Sequence, residues 1–342
     1  MAISLQKSNQ LKSIAILMML CLHLFNRDYR GLFEPLLFIG KQPLSYYISL
    51  FSDACVPIFA FVSGYGLYFK FRQNQGYKKG NLTRLKKLYL NYWVILFLFA
   101  VLLGWLLSAD GYPGSWFKFL GNFTGLEPSY NGAWWFYTTY VFFTLSSKFW
   151  FSMIEKINPI VFIVLLLVVY VISFYLRIYK SGLFESGVLG YFYRQFYLYF
   201  CTLFQFMLGA FALRFEWDKK VQTVLSGFKF KTLTAVLGIV ILIVFHGIFP
   251  NFIVAPFTGL AFIFLFLQIK LNNSGNRILD FFKPHSTNLW LIHMFFYMIY
   301  FEGFVYSFKY PLLIFSVLVI MCLISSYVVN FLNQKLQRVF VR

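Results

Sequence analysis

Residues 11–25, LKSIAILMMLCLHLF, open an apolar run with a cation, Lys12, and place an imidazole, His23, near its far end. At about 100° and 1.5 Å per residue, the steps from Lys12 to His23 turn a helix through roughly 1100°, which puts both side chains on one face about 16 Å apart along the axis. A charged head near a membrane edge and a titratable ring deep in hydrocarbon then look onto the same internal surface. Ionisable groups at such depth are costly and usually face a cavity or a partner. Lys7 and Lys12 ahead of the run resemble a signal peptide. No small-x-small cleavage site follows, however, and Leu20 is too large for a lipoprotein site before Cys21, so the stretch is read as a retained span.

The rest of the composition agrees with a lipid solvent. The chain has 342 residues, of which 60% are hydrophobic, 23% aromatic and only 12% charged. That much apolar side chain cannot be hidden inside a water-soluble globule. About ten runs have the length needed to cross roughly 30 Å of hydrocarbon. They cover residues 9–27, 45–70, 86–108, 133–153, 158–177, 195–214, 232–249, 252–269, 286–306 and 311–332. They are too long and too uniformly apolar for barrel strands, so the expected fold is an all-α integral membrane protein of about ten transmembrane helices. It is read as one transmembrane domain over residues 1–342 with no appended soluble domain.

The net charge of +19 is explained by where the cations lie. With the N-terminus inside, about 22 of the 30 lysines and arginines fall on that side, so the positive-inside rule puts both termini in the cytoplasm. No nucleic acid is needed to account for the charge. The four cysteines, Cys21, Cys55, Cys201 and Cys322, lie far apart in apolar runs and suggest neither a metal site nor a disulfide framework. No nucleophile elbow or phosphate-binding glycine loop is present.

Two connections stand out as working surfaces. The link from Lys70 to Lys87 carries seven cations. Most read as ordinary inside charge, but Arg84 and Lys87 lie one turn apart at a cytoplasmic helix start, where cations and free amides can hold phosphate. On the opposite side, residues 109–132 lead into NGAWWFY. Its Trp134 and Trp135 fit an interfacial aromatic belt, and tryptophans so placed can also stack on a sugar.

Among the intramembrane polar residues, His23 and Asp53 fall at similar depths on successive spans and are expected to hydrogen-bond. A buried carboxylate would hold the imidazole tautomer and raise its basicity, preparing a general base; the same pair could equally glue two helices together. His293 lies two turns into the ninth span, His285 precedes it, and His246 is read as interfacial.

These residues carry a resemblance. The first span resembles the opening of acyltransferase family 3, bacterial membrane O-acyltransferases whose signature is an Arg, ten intervening residues and a His; Lys12 and His23 occupy those positions. VPIFAFVSGYG, residues 56–66, resembles the family's apolar run ending in Ser-Gly and an aromatic, matched by Ser63, Gly64 and Tyr65. Arg84 to Lys87 resembles its Arg-x-x-Arg, GAWWF its Trp-Phe segment, and HSTNLWLIH its C-terminal His-containing segment. The matches run in family order from Lys12 to His293. Two departures are plain. Lysines at 12 and 87 keep charge but lose the planar arginine fork. Many members have an Asp where this chain has Pro57, a role that Asp53 is inferred to take.

The resemblance implies transfer of an acyl group, usually acetyl, from cytoplasmic acetyl-CoA to a hydroxyl of an envelope glycan or its lipid-linked precursor, in the bacterial cytoplasmic membrane. On that reading His23, supported by Asp53, is the general base, with an acyl-histidine intermediate as a variant. Lys12, Arg84 and Lys87 bind the donor; Ser63, Trp134, Trp135 and His293 bind substrate; no metal is needed. The partners expected are membrane lipid, the glycan acceptor and a separate extracytoplasmic transferase where direct acylation does not occur. A transporter or flippase using His23 and Asp53 as a proton relay is the alternative class.

Overall fold

A computed structural model describes residues 3–73, 76–184 and 187–340. These residues are almost entirely helical; the strands among them form one two-residue antiparallel hairpin, Phe38–Ile39 with Gln42–Pro43. Among the described residues, seven helices are long and apolar enough to cross a membrane: Leu5–Phe25, Leu44–Gln73, Tyr77–Leu106, Pro159–Tyr179, Gly187–Arg214, Lys231–Ile248 and Pro311–Phe340. The other three expected spans have different characters. Residues 133–153 fall on Trp135–Ile154, an unbroken helix that carries Lys148, and Phe252–Gln268 is short. Residues 286–306 are broken into Ser286–Met294, a π-helical segment Phe295–Tyr300, and Glu302–Tyr306.

The chain forms two compact units. The first contains the residues up to Ala15, Asp53–Tyr77 and Thr139–Asn276. Its centre is the crossing of Cys55–Gln73 with Gly187–Arg214, made close by two reciprocal glycines. A Cβ on Gly64 would lie 1.8 Å from the carbonyl oxygen of Phe206, and one on Gly209 would lie 2.0 Å from that of Phe61. Backbones touch there, which is how helices associate in lipid when no hydrophobic force drives them together. The Ser-Gly-aromatic signature thus has a packing role through Gly64. Pro159–Tyr179 packs against Gly187–Arg214 and leaves Ile160, Val164, Leu165, Val168 and Ile172 exposed, as a lipid-facing stripe should be. Glu155 is held by both Arg214, at 3.0 Å, and the Tyr68 hydroxyl.

The second unit contains Ile16–Ser52, Lys78–Thr138 and the chain from Arg277 onward. Buried carboxamides lace its helices together. Asn91 Nδ2 donates to Asn288 Oδ1 at 2.8 Å, Asn333 Nδ2 donates to Asn91 Oδ1 at 2.9 Å, and Asn288 Nδ2 donates to Ser326 Oγ at 2.8 Å. Ser326 also bonds His285 Nδ1 at 2.8 Å. This network ties Tyr77–Ile95, Ser286–Met294 and Pro311–Phe340 into one body.

Candidate active site

His23 sits in the last turn of Leu5–Phe25 and is half-buried; His293 is completely buried in the last turn of Ser286–Met294. His23 Nδ1 lies 2.8 Å from His293 Nε2, and the two rings stack with centroids 4.9 Å apart. His293 Nδ1 faces the carbonyl oxygens of Trp290 at 2.8 Å and Leu289 at 3.1 Å. Carbonyls only accept, so Nδ1 of His293 carries the hydrogen and its Nε2 carries the lone pair. That lone pair accepts from Nδ1–H of His23, which leaves Nε2 of His23 as a lone pair able to take a proton.

Tyr297 lies nearly parallel to both imidazoles, 6.2 Å from His23 and 5.8 Å from His293 by centroids. It belongs to the π-helical segment directly after His293, and such segments often mark functional sites. Arg27, four residues beyond His23, sets its guanidinium carbon 6.0 Å from the Tyr297 ring. Arg27 Nη1 donates to Glu302 Oε1 at 3.0 Å and to the Tyr306 hydroxyl at 3.2 Å; that hydroxyl donates to the Leu24 carbonyl at 3.0 Å.

The expected His23 partner is elsewhere occupied. Asp53 belongs to the first unit, and its Oδ2 lies 3.0 Å from Nε2 of His246. His246, expected at the interface, is completely buried. The reason is angular. Similar depth on two helices says nothing of azimuth, and Ser52–Ala54 is a 3₁₀ turn that shifts Asp53 off the face an unbroken helix would give it.

The remaining expected residues divide. Trp134 has no exposed surface: its indole donates to the Leu291 carbonyl at 2.8 Å, and its ring packs edge-on against Tyr92. Trp290 returns the tie by donating to the Ala133 carbonyl at 2.9 Å, so this tryptophan pair locks the Gly132–Trp134 turn onto Ser286–Met294. A sugar has no face of Trp134 to stack on. Trp135 is half-buried, as are Ser63 and Lys12, both in the first unit. Arg84 donates to Asn81 of its own helix at 3.1 Å. Lys87 lines a cavity of about 320 Å³ together with Gln334, Gln337 and Arg338 from the last helix.

Arg27 and Arg338 are the residues that sequence reasoning missed. Arg27 had a signal, since four-residue spacing from His23 would put it on the same face of the expected 9–27 span, although the helix itself ends at Phe25. Arg338 had none beyond its place among inside cations.

The sequence model of an acyltransferase domain family, Acyl_transf_3, matches residues 6–330, nearly the whole chain. The chain belongs to acyltransferase family 3. This acyltransferase carries the paired histidines within its family domain, whereas Gln334, Gln337 and Arg338 of the basic cavity lie beyond the matched residues. No curated protein and no solved structure matches it. Its apolar helices and its family together make it a multi-pass membrane acyltransferase.

Proposed function

We propose that this acyltransferase moves an acetyl group from cytoplasmic acetyl-CoA to a hydroxyl of a cell-surface polysaccharide or its lipid-linked precursor, with His23 as general base. The observation that carries the reading is the 2.8 Å contact from His23 Nδ1 to His293 Nε2, backed by the carbonyls behind His293. His23 Nε2 takes the proton of the acceptor hydroxyl as its oxygen attacks the thioester carbonyl. The thiolate of CoA then leaves and recovers that proton from Nε2. His293 orients the ring, the part first expected of Asp53. A positioned base contributes about 10² to 10⁴ in rate. Positioning of donor and acceptor on one protein supplies much of the remainder.

The donor side rests on the cavity lined by Lys87, Gln334, Gln337 and Arg338. Two cations and two amides suit the phosphates of CoA, with Arg338 supplying the planar fork that Lys87 lacks. In this reading the chain lies in the bacterial cytoplasmic membrane with ten crossings and both termini inside, and a separate extracytoplasmic transferase completes the reaction where direct acylation does not occur. The transporter alternative needs His23 and Asp53 as one relay, whereas His293 and His246 respectively occupy those groups.

The test is to incubate purified protein with labelled acetyl-CoA and an envelope glycan fraction. Label should reach the glycan with the native protein and not with His23→Gln. Transfer at the native rate by a well-folded His23→Gln protein would remove the assignment.

A further inference from the structure

Arg27 and Glu302 form an ion pair that uses less than half of its hydrogen-bonding capacity. Arg27 makes both of its bonds through Nη1, and Glu302 makes its one bond through Oε1. Among the described residues, the Nε and Nη2 donors of Arg27 and the Oε2 acceptor of Glu302 have no partner at hydrogen-bond distance. The pair is open to solutes: its side chains are 30% and 45% exposed. It is also held in place. Tyr306 bonds the same guanidinium nitrogen, the Tyr297 and Tyr306 rings lie 6.0 Å and 5.7 Å from its carbon, and both tyrosines are buried.

The position of the pair matters as much as its valence. Tyr297 touches both sides, stacked 6.2 Å from His23 and set against Arg27. A ligand bound at Arg27 and Glu302 is therefore one aromatic ring away from the imidazole that takes the proton.

We propose that Arg27 and Glu302 form the acceptor subsite of this acyltransferase, gripping two neighbouring hydroxyls of an uncharged hexose. This rests on the acyl-transfer reading of His23. A hydroxyl both accepts and donates, so one can accept from the free edge of the guanidinium while its neighbour donates to the free carboxylate oxygen. The formal charges cancel within the pair, and the nearby Glu34 and Lys309, 3.5 Å apart, cancel as well. A carboxylated sugar would bring its extra negative charge against Glu302. The subsite thus selects neutral over acidic sugars.

Saturation-transfer NMR on the full-length protein in nanodiscs tests this with methyl glucoside, galactoside and mannoside as probes and methyl glucuronide as the acidic comparison. At least one neutral glycoside should bind the native protein, with affinity about tenfold weaker in Arg27→Lys and in Glu302→Gln and with the glucuronide weaker than its neutral counterpart. Lysine keeps the charge but not the fork, and Gln keeps the size but not the acceptor charge, so both variants should remain folded by size-exclusion chromatography. Binding of none of the neutral probes, undiminished binding in both variants, or preference for the glucuronide overturns the subsite. The expected binding pattern with no transfer from acetyl-CoA counts for the subsite and against the donor reading.

Discussion

Nδ1 of His23 and Nε2 of His293 lie 2.8 Å apart although 270 residues separate them in the chain. Only one arrangement of hydrogens suits the carbonyl oxygens behind His293, and it points the free lone pair of His23 away from its partner. An imidazole orienting an imidazole does here what a carboxylate does in many catalytic sites. It fixes the tautomer without adding a formal negative charge.

His23→Gln should therefore abolish acyl transfer, since an amide cannot take a proton at neutral pH. The graded variants are at position 293. His293→Gln presents an amide oxygen to His23 Nδ1–H and should keep measurable turnover, whereas His293→Ala removes the acceptor and should lower kcat by about 10². Equal kcat for the native protein and His293→Ala would show that the pair does not orient the base.

Asp53 and His246 are expected to matter for folding more than for chemistry. Removing one partner of a buried, 3.0 Å pair leaves an uncompensated polar group and typically costs about 3 kcal/mol. His246→Ala should lower the melting temperature in detergent while the surviving folded fraction retains kcat within about tenfold. A native melting curve combined with lost turnover would return this pair to the reaction.

Gly64→Ala should fail to give folded protein, because its new carbon would sit 1.8 Å from the Phe206 carbonyl oxygen. Gly66, two residues on, has open space at the same atom, so Gly66→Ala should fold normally. Fluorescence-detected size-exclusion chromatography of the two variants makes the comparison.

Lys87→Ala and Arg338→Ala should each weaken acetyl-CoA binding by roughly tenfold, the scale of one charge-assisted contact at an exposed site. Arg84→Ala should change it less, since that guanidinium is bonded to Asn81. Calorimetry at two salt concentrations measures both the loss and its screening. Donor affinity unchanged in Lys87→Ala and Arg338→Ala would make the cavity ordinary surface charge.

Trp134→Phe should cost about 1 kcal/mol of stability through its lost bond to the Leu291 carbonyl and leave the acceptor KM unaltered. A raised acceptor KM at native stability would mean that sugar reaches this ring after all.

The amino-acid order alone determined the solvent and the class of fold. Apolar runs of membrane length are local, and so is the demand that each satisfy its own backbone in lipid. His23 was legible for the same reason, since an imidazole inside an unbroken apolar run stands out without any knowledge of its neighbours. The pairing of groups was decided only by the tertiary structure. Helical periodicity gives depth and face along one helix, but which face meets which depends on close approaches such as Gly64 against Phe206 and on interruptions such as the 3₁₀ turn at Asp53. That is why His23 faces His293, and Asp53 faces His246, where sequence reasoning had joined His23 to Asp53. It is also why Trp134, an interfacial tryptophan by its position in the chain, is a fully buried tie to Leu291, and why Lys87 and Arg338, from distant segments, line one cavity.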